Sequence, residues 1–145
     1  MRKLIVAISM LAVAGSAAFA DPILDRQALM KERGKIVGGL SKVVKGEEPF
    51  DAAAVLTQLQ ALQANAEKFD VGTLFPAGSD AGDTTAAPKI WEDMPGFKAA
   101  EDKYLADVKA ATAATPADID TLKTKFGAIA SNCGACHQSY RVKKG

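Results

Sequence analysis

Residues 115–141 read TPADIDTLKTKFGAIASNCGACHQSYR, and they hold both cysteines and the only histidine of a 145-residue chain. Ile119, Leu122, Phe126, Ile129, Cys133, Cys136 and Tyr140 succeed one another at alternating spacings of three and four, the rhythm of one buried face of an α-helix. Thr115 and Pro116 suit an N-cap and a first helical proline ahead of that pattern. His137 falls one residue beside the seam. The two thiols are therefore expected to face the interior of a helical protein.

Working outward, three further stretches carry helical periodicity. Ile23, Met30, Val37 and Val44 recur every seven residues, widened by Ile36, Leu40 and Val43, with Gly46 as a stop. Asp51 is an N-cap candidate for a second helix, whose inner face is Val55, Leu59, Leu62, Ala66 and Phe69. A third helix is expected from about Gly96 to Ala113, turning Phe97, Ala100, Tyr104, Val108 and Ala111 inward. Between the second and third, Gly72, Pro76, Gly78, Gly82, Pro88 and Pro95 break the pattern, so residues 70–94 predict a long connection pinned by Phe75, Ile90 and Trp91. Few aromatic residues and an abundance of Ala, Leu, Lys, Glu and Asp favour helix over sheet. The expectation is an all-α antiparallel four-helix bundle with one long connection between helices 2 and 3. A helical sensor domain of another topology is the alternative.

The N-terminus predicts where the chain is sent. Met1-Arg2-Lys3 is a short basic start, Leu4 to Ala14 an apolar run, and Ala18-Phe19-Ala20 an A-x-A cleavage pattern, so residues 1–20 read as a secretory signal removed after Ala20. The apolar run is too short for a membrane anchor, which needs about 20 residues. Residues 21–145 are then one exported domain, periplasmic in a bacterium, with no membrane insertion after cleavage. Without Arg2 and Lys3 there are 16 basic against 17 acidic side chains, a formal charge of −1. That balance gives no basic stripe for nucleic acid.

The motif C-x-x-C-H decides the chemistry. A thioredoxin-like dithiol belongs at the start of a helix in a βαβ setting, and no strand alternation accompanies this one. A disulfide between Cys133 and Cys136 would close a tiny loop and contribute little; it stays as the competing reading, beside a metal site. Zinc needs about four ligands, and beyond Cys133, Cys136 and His137 only carboxylates remain. Covalent attachment of one haem c accounts for all three residues: thiols one helical turn apart bond two vinyl groups along one edge of the ring, and His137 presents its imidazole to the iron. Ala128, Ala130, Gly134 and Ala135 are expected to leave room for the macrocycle. With its single histidine so used, the chain completes no Ser/His/Asp or paired-carboxylate arrangement, and no enzymatic activity is expected.

CGACHQSYR at 133–141, preceded by DRQALM at 25–30, LFPAGS at 74–79 and PKIWEDM at 88–94, resembles the class II cytochromes c, the family of cytochrome c-prime and its low-spin relatives. The likeness covers nearly all of the chain after residue 20. It implies a haem near one end of the bundle and often a homodimer through the first two helices. It also implies that Met30, four residues after Arg26, points at the distal side of the iron. There it either ligates, as in low-spin members, or merely packs, and ligation is expected. A His/Met-ligated iron makes a one-electron carrier serving redox partner proteins whose identity stays open; a five-coordinate iron makes a protein that binds NO or CO. By the same resemblance Arg26 and Gln27 lie near the haem propionates and Arg141 beside the proximal pocket. Arg26 read alone is equally a solvated helix charge, and Arg141 a cation favoured at a helix C-terminus.

Overall fold

The computed structural model describes residues 21–143; the signal expected at residues 1–20 lies outside them. Four long helices, α1 (Pro22–Lys45), α2 (Ala52–Glu67), α5 (Met94–Ala114) and α6 (Ile119–Tyr140), form an antiparallel four-helix bundle. Two short helices, α3 (Val71–Leu74) and α4 (Lys89–Glu92), interrupt the long connection. Around the bundle α1 packs on α2 and α6, and α5 packs on α2 and α6, so α1 and α5 face each other across the diagonal. Among the described residues no helix is long and apolar enough to cross a membrane.

Local chemistry sets the helix ends. Asp21 accepts from the backbone N–H of Ile23 at 2.9 Å, and Pro22 follows it where a missing N–H costs nothing. Gly46 ends α1 at φ 77, a left-handed conformation open to glycine. Asp51, Asp70, Asp93 and Asp118 each accept from a backbone N–H of the first turn they precede.

Two of the expected boundaries move. The cap of α6 is Asp118, 2.8 Å from Thr121 N, whereas Thr115 terminates α5 at φ 45, and Pro116 lies buried in the turn between them. The third long helix starts at Met94 rather than Gly96, because Pro95 is tolerated in its first turn once Asp93 caps it. A testable consequence follows from the strained Thr115. Left-handed backbone costs a non-glycine residue roughly 1–2 kcal/mol, so Thr115→Gly is expected to raise urea stability by about 1 kcal/mol. Asp118→Ala should lower it by about 1 kcal/mol. The reverse result, Thr115→Gly destabilising and Asp118→Ala leaving stability unchanged, would restore Thr115 as the cap.

The interior divides into two apolar clusters. Leu40, Leu59, Leu62, Val108, Leu122 and Ile129, all fully enclosed, centre the core shared by the four long helices. The second, at one end, is built mainly from the connection: Phe69, Leu74, Phe75, Ile90 and Phe97, with Met30, Cys136 and Tyr140 at its edge. The connection is fixed rather than loose. Phe75 and Phe97 meet edge to face with ring centres 4.8 Å apart, Trp91 Nε1 donates to the Pro76 carbonyl at 3.1 Å, and Ala86 pairs with Arg141 in an isolated antiparallel bridge.

Helix α1 departs from its expected stripe. Ile23, Met30, Val37 and Val44 are only half-buried, while its most enclosed positions are Arg26, Arg33, Leu40 and Val43. Two arginines therefore occupy the inward line, and the structure gives each a set of interior partners.

Candidate functional site

At the end where the second cluster lies, the bundle opens into a cleft of about 370 Å³. Helix α6 contributes Cys136, His137 and Tyr140 to its wall; the neighbouring α1 contributes Met30. Phe75, Ile90 and Phe97 make it apolar, and Gln27, Thr84 and Arg141 line its polar rim. A smaller cavity of about 40 Å³ continues toward the bundle core, walled by Arg33, Glu101, Tyr104 and Cys133, and shares Met30, Cys136 and His137 with the larger one. The expected site residues Met30, Cys133, Cys136 and His137 are thus gathered around one slot.

Cys133 and Cys136 lie on successive turns of α6 with no disulfide between them, and the Cys133 thiol donates to the carbonyl of Ile129 at 3.5 Å. Burial pushes the Cys136 thiol up to about 11 and raises Cys133 in the same direction. A redox-active dithiol shows the opposite shift, toward the thiolate. His137 is lowered, first by burial and then by the charges of Arg141 and Arg33, which keeps its imidazole neutral and able to donate a lone pair. Among the described residues no three His, Cys, Asp or Glu side chains are grouped to hold a metal ion. Tyr104, 3% exposed, has a hydroxyl without a hydrogen-bond partner, and burial raises its ionisation well above the usual range, so it stays a neutral donor.

These residues fit a haem. Two neutral thiols sit a turn apart beside an aromatic slot, with a neutral imidazole next in sequence and a thioether on the facing helix. The space lies between α1, α5, α6 and the connection. Ala128, Ala130, Gly134 and Ala135, expected to make room for the ring, are exposed on the outer side of α6; helix periodicity places them opposite the buried seam.

Arg26 lies in the wall of the cleft, 4% exposed, with its guanidinium carbon 4.8 Å from the centre of the Phe75 ring. Its two Nη atoms donate to the Leu74 carbonyl (3.1 Å), Ser79 Oγ (3.0 Å), the Ser79 carbonyl (2.7 Å) and Thr84 Oγ1 (2.8 Å). It is not a solvated charge; those four donors staple the connection to α1. Gln27 is exposed and donates to the Asp83 carbonyl at 2.6 Å. Arg141, just past the last turn of α6, is exposed on the same cleft as His137. Arg26→Leu leaves several enclosed acceptors without donors, each costing about 1–3 kcal/mol. Urea stability is expected to fall by roughly 3 kcal/mol, and proteolysis should become fastest within residues 76–87. Unchanged cleavage would deny the staple.

Sequence reasoning missed Arg33, Glu101, Asn65 and Asn132, all buried. Arg33 and Glu101 form an ion pair at 2.6 Å, and Asn132 Nδ2 donates to Asp107 Oδ2 at 2.7 Å. The available signal was the seven-residue interval from Arg26 to Arg33 to Leu40, which places both arginines on the line of a core leucine.

A four-helix bundle that sets paired thiols and the following histidine against an apolar slot at one end defines a c-type haem protein. The family described as Cytochrome C' matches residues 21–141, and the chain belongs to that family. Cytochrome c-556 of Agrobacterium fabrum is 40% identical over 131 residues, covering 90% of this chain and 88% of its own. Cytochrome c' of Rhodopseudomonas palustris is 39% identical over 150 residues, covering 99% of both. A solved structure of cytochrome c' from Rhodopseudomonas palustris superposes with a TM-score of 0.79 at 38% identity, over 86% of this chain and 98% of that one. The protein is accordingly a haem c cytochrome of the electron-carrying or gas-binding kind, with the haem covalently attached.

Proposed function

We propose that the chain is a periplasmic one-electron carrier, not an enzyme, whose iron is held by His137 on one side and Met30 on the other. The observation that carries this reading is the placement of Met30 on α1 and His137 on α6, both lining both cavities of the slot. Cys133 and Cys136 hold the haem by thioether bonds; Arg26 and Gln27 in the cleft wall are the groups assigned to its carboxylates, and Arg141 stands beside the proximal pocket. When bound, the haem would supply the one-electron couple; His137 and Met30 would hold its iron, so that little would rearrange on electron transfer, and methionine ligation would raise the potential. Similarity to proteins called cytochrome c-556 as well as cytochrome c' supports a carrier without deciding the axial ligand.

The absorption spectrum is the experiment. A low-spin spectrum with the weak far-red sulfur-to-iron band, and slow uptake of CO by the reduced protein, is the expected result. A high-spin spectrum with rapid uptake of CO and NO would instead make this a gas-binding protein, as the nitric oxide complex of a mutant of cytochrome c prime from Alcaligenes xylosoxidans illustrates for a relative. Export rests on the basic, apolar and A-x-A pattern of residues 1–20. The assigned homodimer uses α1 and α2, where Ile36, Val37 and Val44 are only partly covered by the core.

A further inference from the structure

Met30 is bracketed on its own helix by two buried arginines, Arg26 four residues before it and Arg33 three after. Those offsets put all three on neighbouring positions of one face. The two guanidinium groups pull on different parts of the molecule. Arg26 binds the connection, through Leu74, Ser79 and Thr84. Arg33 binds the opposite side of the bundle interior: its Nη2 donates to Glu101 Oε1 of α5 at 2.6 Å, and its Nε donates to Asn65 Oδ1 of α2 at 3.1 Å. Its guanidinium carbon lies 4.2 Å from the centre of the Tyr104 ring and 4.9 Å from that of Phe69. Asn65 completes the arrangement, donating from Nδ2 to Glu32 Oε2 at 2.7 Å and to the carbonyl of Leu29, the residue before Met30, at 3.1 Å.

Since α1 and α5 are diagonal neighbours, the Arg33–Glu101 pair spans the bundle interior, at the wall of the smaller cavity and between the two apolar clusters. A buried ion pair is weak evidence of stabilisation, because desolvation offsets its attraction; its best-attested use is to specify geometry. Geometry is what a methionine ligand needs. The thioether is an uncharged donor on a side chain with three rotatable bonds, so it holds a metal only when its backbone is already aimed.

We propose that Arg33, paired with Glu101 and hydrogen-bonded to Asn65, is a positioning residue that fixes the rotation of α1 and so aims Met30 at the iron. Arg26 holds α1 about one turn before Met30 and Arg33 about one turn after it, and together they resist rotation about the helix axis. This rests on the reading of Met30 as a ligand.

The test uses the holoprotein and the double substitution Arg33→Met with Glu101→Leu, which removes both charges together and leaves no lone buried ion to unfold the bundle. Far-ultraviolet circular dichroism should keep its helical form. The far-red sulfur band should weaken, and CO uptake by the reduced protein should rise by up to about tenfold, as when the sulfur-bound fraction gives up one decade of its equilibrium. Arg33→Lys alone, which keeps a cation opposite Glu101 but not the planar fork, should fall between. In a Met30→Ala background the same double substitution should leave CO uptake unchanged, because Arg33 acts through Met30. A full sulfur band with unchanged CO uptake in the double variant would overturn the inference. So would equal acceleration in the Met30→Ala background, which would mean general loosening of the slot. A wild-type protein without the sulfur band would overturn the reading of Met30, and this inference with it.

Discussion

Cys133→Ala combined with Cys136→Ala is expected to abolish covalent haem, so that acid-acetone extraction carries all colour into the organic phase. The wild type should keep its colour with the protein, and either single variant, with one thioether left, should do so as well. The effect is complete because nothing else in the chain can form that bond: the two thiols are its only cysteines and both line the slot. Packing contributes little, since both are half-buried and alanine fills most of their volume. His137 remains in the double variant and can still ligate iron, so haem added to it should bind reversibly. Wild-type colour that extracts entirely, or zinc in the purified protein, would remove the haem c assignment.

Met30→Ala is expected to change the iron from low-spin to high-spin or water-bound, abolish the far-red sulfur band and open the site to rapid CO binding. The reduction potential should fall by roughly 0.1 V or more, within the span of about 0.8 V that axial ligands command. Thermal melting cannot discriminate, because truncating a buried methionine costs about 2–5 kcal/mol whether or not it ligates, and Met30, half-buried at the edge of the second cluster, belongs toward the low end. Spectrum and potential are therefore the measurements that count. If the wild type binds CO and NO rapidly and the substitution leaves its spectrum unchanged in character, the carrier reading gives way to gas binding.

The helices were legible where apolar spacing was regular. Val55, Leu59, Leu62, Ala66 and Phe69 are all buried as their spacing predicts, and so are Phe97, Tyr104, Val108 and Ala111. Helix α1 was legible as a helix but not in its rotation. Its half-buried apolar residues repeat every seven positions and outnumber the deeper ones, so the stripe reads as centred on Met30 and Val37. Two arginines hold the centre instead. Boundaries failed for a related reason: Thr115-Pro116 and Asp118 both offer capping chemistry within four residues, and backbone geometry decides between them.

By itself the sequence determined the helical class, the order of four long helices with one long connection, and the joining of a haem to the last of them. Each is encoded locally, in residues within a turn or two of one another. Only the tertiary structure decided what the charges on α1 do. Arg26 finds its acceptors 48 to 58 residues away and Arg33 finds Glu101 68 residues away. Read along the chain, each is a helix arginine of a kind that ordinarily faces water, and only the seven-residue line shared with Leu40 points inward. Burial of such a group is repaid only by partners that the fold brings to it, and those partners lie on separate elements whose packing no local pattern records.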